Sequence, residues 1–374
     1  EIRYSDWSSD VCSSDLVEEP LEQTISARQL GAAFSGCFLG AGYVSGREMW
    51  QFFGRFGPVG WLGLCLSIAL LGGAGLLLLT MVRRTGRHEL SFLMVPWQCP
   101  ALRHLLALFS VLLLFGVVTI MTAGTGAALH QAFGLPPWLC GLLFALLIAA
   151  LSLSGLRGMI SIFSFAAPAL VLCTVGLGAG ALLLLPACPP PAFQGGVGWL
   201  PSAMAFSAYN MFSAVAILAP LGRQVPPRCT PRGIGLGCTM LFMVAAPILL
   251  VLNHYPGAAE TEFPMLTVVT AISPGLGIPY LLLLLIAMVV TAFSCFLAGM
   301  ERLSAGTELH GRERVLRFFA VSLVAWGASL LGFGELISLI YPVFGAVSAV
   351  FLTGMAVHFC RVNWGNPNEK ADGK

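Results

Sequence analysis

Long apolar segments separated by short polar breaks run through most of the chain and indicate its architecture. About 20 mostly apolar residues in succession are enough for a helix to cross a bilayer. Ten segments fit this pattern, at 27–53, 58–81, 102–129, 138–154, 159–185, 199–221, 233–253, 277–300, 316–332 and 336–358. The apolar stretch 264–274 is too short to span, and it predicts a re-entrant or surface helix in an outer loop.

The composition indicates a membrane protein rather than a soluble one. Hydrophobic residues make up 57% of the chain and charged residues only 10%, whereas soluble domains carry about 25% charged residues. We therefore expect an all-α, multi-pass integral membrane protein in the cell membrane, surrounded by the lipid bilayer. A formal net charge of +2 gives no basis for binding nucleic acid.

The basic residues predict the orientation of these segments. When the N-terminus is placed inside, every basic residue after residue 16 falls on the inner side, except Arg47 and Arg55. Cytoplasmic loops carry an excess of Lys and Arg, so the distribution favours ten spans with both termini in the cytoplasm.

The two halves of the chain predict an internal symmetry. Each half holds five apolar segments, and the halves are nearly equal in length. Because five is odd, two halves with the same fold must be inverted relative to each other, as in many secondary transporters. We expect ten transmembrane helices in a 5+5 inverted repeat, in which the first and sixth helices are both broken.

This plan divides the chain into five regions. Residues 1–16, EIRYSDWSSDVCSSDL, are rich in Ser and Asp and resemble a translated sequencing-adapter peptide, so they are left out of the fold. The other regions are an N-terminal repeat at 17–185, a Pro-rich outer linker at 186–198, a C-terminal repeat at 199–358 and a cytoplasmic tail at 359–374.

The first segment carries the clearest interruption. It reads LGAGYVSGREMWQFFGRFG between Leu39 and Gly57, with clustered glycines ahead of Arg47 and Glu48. Glycine weakens a helix by roughly 1 kcal/mol relative to Ala, and ionisable side chains in lipid are costly. An unbroken helix is therefore disfavoured here.

A helix that restarts after such a break presents free N–H groups, which suit a solute carboxylate. The expected backbone contacts to a solute are Gly40, Ala41, Gly42, Ser45 and Gly46. The alternative is that these glycines only allow close packing of neighbouring helices.

Two sets of side chains complete this predicted site. Glu48 binds a substrate amine or carries a proton; alternatively it pairs with Arg47 or caps the half-helix. The sixth segment has a polar centre formed by Ser207, Tyr209, Asn210 and Ser213. These residues either contact the solute or stabilise helix packing.

The phrases GAGYVSGREMWQFFGRFG and SAYNMFSAVAILAPLG resemble the first and sixth helices of the YkvI-like membrane proteins, a branch of the amino acid–polyamine–organocation (APC) superfamily. The resemblance covers nearly the whole chain from about residue 25. It implies the LeuT-type fold, with a bundle of spans 1, 2, 6 and 7, a scaffold of spans 3, 4, 8 and 9, and a solute site between the breaks in spans 1 and 6. Arg47 departs from the pattern, which usually has Gln.

The resemblance also implies a site for a coupling ion. In sodium-coupled members of this fold, hydroxyls of span 8 join carbonyls of span 1 around Na⁺. Thr291 and Ser294 lie three residues apart in span 8, on one helical face. The alternative is that both hydroxyls bond only to the preceding helical turn.

These features favour a secondary transporter of a small zwitterionic or amine-bearing solute that works by alternating access. A membrane sensor or scaffold on the same fold is the alternative. An enzyme is not expected, because the six histidines fall at span ends or in loops and Glu48 is the only carboxylate in the break region. Neither the solute nor the oligomeric state follows from these features.

Overall fold

The computed structural model describes residues 25–86, 90–94, 100–153, 159–186, 196–304 and 311–364. The predicted adapter-like peptide 1–16 therefore lies outside the described residues, as do most of the linker 186–198 and the end of the tail 359–374. Within the described ranges, every regular element is a helix.

The first apolar segment forms three short helices, α1 (Ala27–Phe38), α2 (Ala41–Val44) and α3 (Arg47–Phe52), followed by a 3₁₀ turn at Gly54–Phe56. Ser26 caps the start of α1, because its hydroxyl accepts a hydrogen bond from the Gln29 backbone N–H. The remaining helices are α4 (Pro58–Thr85), α5 (Leu90–Met94), α6 (Pro100–Phe133), α7 (Pro137–Leu153), α8 (Met159–Leu184), α9 (Trp199–Leu221), α10 (Cys229–His254), α11 (Pro264–Ile272), α12 (Pro274–Leu303), α13 (Gly311–Ser329) and α14 (Phe333–Trp364), with a second 3₁₀ turn at Pro256–Glu260.

Each of the ten predicted segments coincides with one of these helices or, in the first case, with the group α1–α3. The short helix α11 is also as expected from the sequence. Among the residues that the structure describes, five helices are by length and composition able to cross a membrane, namely Pro58–Thr85, Pro100–Phe133, Cys229–His254, Pro274–Leu303 and Phe333–Cys360. Large apolar side chains project from their outer faces, for example Leu105, Leu108 and Leu112 on α6. Such faces suit contact with lipid.

The predicted break in the sixth helix is wrong. The helix α9 is continuous from Trp199 to Leu221, with prolines only in its first and last turns, at Pro201 and Pro220. Its segment contains no glycine, and its polar side chains bond to the helix itself. Ser207, Asn210 and Ser213 each donate to the carbonyl four residues earlier, at 2.8, 3.0 and 2.9 Å. Their polarity is therefore satisfied without opening the backbone.

The helix α1 lies against α10, α8 and α9. Its contact with α10 depends on small residues on both sides. A Cβ atom on Gly31 would lie 3.1 Å from the carbonyl oxygen of Gly233, and one on Gly237 would lie 3.0 Å from the carbonyl oxygen of Gly31. The two backbones can approach this closely only because glycine has no side chain.

This contact predicts a difference between two glycines of the same helix. A Cβ on Gly237 would lie 2.6 Å from Cδ1 of Phe34, whereas a Cβ on Gly235 meets no atom within 4 Å. We expect Gly237→Ala to lower the free energy of unfolding by about 1–3 kcal/mol through overpacking.

The matched control, Gly235→Ala, should leave stability unchanged or raise it by up to about 1 kcal/mol, because Ala favours the helix. Thermal unfolding of the purified variants in detergent measures both effects. Equal melting temperatures for the two variants would contradict the close packing of α1 on α10.

Candidate solute and cation site

The first span is interrupted, as the sequence predicts. Leu39 follows α1 with φ −73° and ψ 56°, the backbone angles of an inverse γ-turn. The N–H of Gly40 donates to the carbonyl of Phe38 at 2.7 Å. In a continued helix that N–H would instead bond to the carbonyl of Gly36, so the break frees the Gly36 oxygen.

A second interruption follows one helical turn later. Gly46 has φ 83°, a left-handed conformation that glycine adopts without strain. Ser45 bridges the turn, because its hydroxyl donates to the carbonyl of Gly42 and accepts from the N–H of Arg47. The Ser45 carbonyl accepts from the backbone N–H of Met265 at 2.9 Å. The start of α3 is thus bonded by its own chain and by α11.

Glu48 turns back from α3 into this break. Its side chain is 4% exposed. A Cβ atom on Gly42 would overlap the Glu48 carboxylate, so the acid lies directly against the Gly42 backbone. The hydroxyl of Tyr209 donates to Oε2 of Glu48 at 2.7 Å, and Tyr341 is a second hydrogen-bond partner of the carboxylate.

Arg47 does not pair with Glu48, contrary to one alternative from the sequence. Its guanidinium donates to the carbonyl oxygens of Ala259 and Thr261, at 3.4 and 3.2 Å. The Arg47 side chain therefore bonds to the connection between α10 and α11. Between the described side chains, the structure shows no ion pair to Glu48.

Aromatic rings surround the two tyrosines that hold Glu48. The rings of Tyr209 and Tyr341 stack with centroids 4.5 Å apart. Phe52 lies 5.8 Å from Tyr209 and 6.5 Å from Tyr341, and Phe206 lies 5.8 Å from Tyr209 between centroids. We call Phe52, Phe206, Tyr209 and Tyr341 the aromatic cluster.

The four predicted residues of α9 divide into two groups. Tyr209 reaches Glu48, and Ser213 lines a cavity described below. Ser207 bonds to carbonyls of Ala203 and of Ser67 on α4, and the Asn210 amide bonds to the carbonyl of Phe206. Ser207 and Asn210 thus form hydrogen bonds within the helix bundle.

A small cavity of about 20 Å³ lies between α1, α6, α9 and α12. Its volume suits about one water molecule or a bare ion. Thr291 and Ser294, the predicted pair of span 8, both line it, and a Cβ on Gly40 would lie 3.4 Å from the Thr291 hydroxyl. The full lining is Gly36, Cys37, Leu114, Ser213, Ile217, Thr291, Ser294, Cys295 and Ala298.

The hydroxyl and carbonyl oxygens around this cavity are of the kind that could coordinate a sodium ion. Ser294 and Ser213 donate their protons to the carbonyls of Val290 and Tyr209, so each oxygen keeps lone pairs for a cation. Gly36, whose carbonyl loses the Gly40 N–H as a helical partner, belongs to the same lining. Oxygens of unwound backbone and of hydroxyls are ligands suited to Na⁺. Among the described residues no three His, Cys, Asp or Glu side chains meet as a metal cluster.

Tyr341 is the main residue of the site that the sequence did not predict. It lies on α14, one residue before the helix-internal Pro342, in an apolar segment whose sequence gives no indication of a site. A buried acid requires hydrogen-bond donors, and that requirement alone would have directed attention to the tyrosines of other spans.

The sequence comparisons find two similar bacterial proteins, one of which is named as a membrane protein. No family model matches the chain. It is 27% identical over 331 residues to the "Uncharacterized membrane protein YkvI" of Bacillus subtilis (strain 168), covering 87% of this chain and 94% of that protein. It is 26% identical over 360 residues to the "Uncharacterized protein YyaD" of the same organism, covering 88% and 96%.

Solved structures show which fold the chain has. It matches MhsT in complex with L-phenylalanine with a TM-score of 0.64 and 16% identity, over 93% of this chain and 91% of that one. It matches a Na⁺-coupled sialic acid symporter with a TM-score of 0.57 and 14% identity, over 92% of this chain and 80% of that one. It matches a manganese transporter of Eremococcus coleocola with a TM-score of 0.52 and 12% identity, over 95% of this chain and 79% of that one. The chain therefore has the LeuT-type fold that these membrane transporters share.

Proposed function

We propose that the protein is a secondary transporter of a small zwitterionic or amine-bearing solute, which it moves across the cell membrane by alternating access. One observation carries the proposal. A doubly broken first span brings a buried carboxylate, two tyrosine hydroxyls and a hydroxyl-lined cavity to one short stretch of backbone. Interrupted spans with exposed polar groups form the solute and ion sites of many secondary transporters.

The proposed membrane arrangement follows the basic residues and the fold. Ten spans form two inverted halves, at 17–185 and 199–358, with both termini in the cytoplasm. The lopsided distribution of Lys and Arg supports this orientation. The break in the first span, together with the unbroken α9, makes the site one-sided: the freed backbone groups and Glu48 come from the first half, and the tyrosine and hydroxyl side chains come from the second.

Glu48 is proposed to bind the cationic group of the solute. An ionised acid far from water is strongly disfavoured unless hydrogen bonds and a counter-charge compensate it. Tyr209 and Tyr341 supply the hydrogen bonds. An ammonium group of the solute would supply the counter-charge, which no described side chain provides.

Sodium is the proposed coupling ion. Thr291, Ser294, Ser213 and the freed carbonyl of Gly36 would hold it in the cavity beside α1. Bound there, the positive charge would stabilise the backbone dipoles where α1 ends, because the C-terminus of a helix carries partial negative charge. Ion binding would thereby favour the broken form of span 1.

Glu48→Gln tests the proposed solute site. The variant keeps the size of the side chain but loses the charge, so we expect solute uptake to fall by about tenfold or more, which corresponds to about 1.4 kcal/mol. Uptake is measured in proteoliposomes with a panel of labelled amino acids and amines under sodium or proton gradients.

Glu335→Gln is the matched control, since Glu335 lies exposed in the first turn of α14, and it should transport at the wild-type rate. A cooperatively melting protein with no flux for any member of the panel would disprove the transporter proposal.

Thr291→Val tests the sodium site, because it removes the hydroxyl and keeps the shape of the side chain. We expect NaCl to stabilise the wild type more than KCl does, by about 2.7 kcal/mol at 100 times the dissociation constant. Thr291→Val should lose this difference.

Thr353→Val should keep it, since the Thr353 hydroxyl is exposed and bonds only within α14. Thermal unfolding in the two salts measures the effect. Sodium stabilisation that persists in Thr291→Val would place the ion elsewhere.

A double-mutant cycle tests the bond between Tyr209 and Glu48. Tyr209→Phe removes a donor to a carboxylate, and we expect a loss of about 1.5–3 kcal/mol in the free energy of unfolding. In a Glu48→Gln background the same substitution should cost less, with a coupling energy of about 0.5–3 kcal/mol.

Tyr280→Phe serves as the control, because its hydroxyl donates to the carbonyl of Val44 instead. Its cost should be the same in both backgrounds. Purely additive effects of Tyr209→Phe and Glu48→Gln would mean that the two groups do not interact in the folded protein.

A further inference from the structure

The Glu48 side chain covers part of the break in span 1. Gly42 is one of the glycines whose bare backbone the sequence offers to a solute carboxylate. In the folded protein the Glu48 carboxylate lies against Gly42, in the space that a Cβ atom would take. A solute carboxylate at the same place would meet a like charge at short range, which is unfavourable in a site away from water.

Among the described residues, the surroundings of Glu48 supply hydrogen bonds but no positive charge. The acid is 4% exposed and bonded by the hydroxyls of Tyr209 and Tyr341. The neighbouring Arg47 is turned away to the carbonyls of Ala259 and Thr261. A carboxylate offers about four lone-pair sites, so two remain for N–H donors of a bound molecule.

The aromatic cluster adds a second feature that favours a cation. Its four rings adjoin the acid, and Tyr209 and Tyr341 stack at 4.5 Å between centroids. Aromatic faces attract ammonium groups, by about 0.5–2 kcal/mol for each contact. The same ring faces do not attract an anion. Acid and rings together match a positively charged head next to an apolar body.

We infer that the solute is a small organic amine that carries a positive charge and lacks a carboxylate. This inference rests on the transporter function proposed above and narrows its solute class. Glu48 takes the place of the carboxylate that an amino acid would bring, and the ammonium of the amine binds the remaining lone pairs of Glu48. An amino acid is excluded because its carboxylate would lie against the negatively charged Glu48 carboxylate.

Pairs of compounds that differ by one carboxylate test this inference directly. Suitable pairs are phenethylamine and phenylalanine, isoamylamine and leucine, and histamine and histidine. Ligand-dependent thermal stabilisation and uptake into proteoliposomes are measured for each. We expect the amine of at least one pair to bind about tenfold or more tightly than its amino acid, and Glu48→Gln to abolish that preference.

Glu48→Ala provides a gain-of-function test. Removing the acid uncovers Gly42, so the variant should bind the amino acid of the same pair about tenfold or more tightly than the amine. The exposed Glu335→Ala is the matched control and should keep the wild-type preference. If Glu48→Ala does not fold, Glu48→Gln still decides the question, because unchanged amine binding without the charge would overturn the inference.

The outcomes separate this inference from the proposed function. Transport of amino acids in preference to their amines would overturn the inference and leave the transporter function standing. Absence of binding and flux for both members of every pair, in a protein that melts cooperatively, would overturn both.

Discussion

A backbone that leaves its helix inside a bilayer has to satisfy its polar groups without water, and this constraint governs the structure around span 1. Between α1 and α3 the freed groups find partners on two other helices and within the break itself. The Tyr280 hydroxyl of α12 bonds to the carbonyl of Val44, and the Met265 N–H of α11 bonds to the carbonyl of Ser45. The Ser45 side chain serves two further groups of the same turn.

The supporting elements are therefore placed by the break as much as by apolar packing. The short helix α11 cannot span a membrane, but its first turn supplies the N–H that Ser45 requires. The helix α12 has a double role, because Tyr280 bonds to Val44 near the start of α3 while Thr291 lies beside Gly40 near the end of α1. The site is thus built on rigid helices although its own backbone is irregular.

Local chemistry in the sequence predicted much of this arrangement. Clustered glycines next to charged residues indicated a broken first span, and the spacing of Thr291 and Ser294 indicated that both face the same space, as they do. Symmetry was a weaker guide. It predicted a break in α9, where three polar side chains bond to the helix and no glycine opens the backbone.

Contacts between distant parts of the chain were beyond the reach of sequence patterns. Nothing in the sequence near Tyr341 indicates that its hydroxyl meets Glu48, and nothing near Arg47 indicates that its partners are the carbonyls of Ala259 and Thr261. Both contacts depend on how helices from the two halves pack, whereas hydrophobic pattern and turn chemistry report only on neighbours along the chain.

The close glycine packing of α1 on α10 has a mechanical consequence. Backbones packed this closely would make these two helices move together, whereas α3 is tied through Ser45 and Arg47 to the segment around α11. Span 1 thus belongs to two bodies at once, with its glycines as the joint between them. In the transport cycle proposed above, a rotation about that joint would move α1 and α10 relative to α3 and the segment around α11.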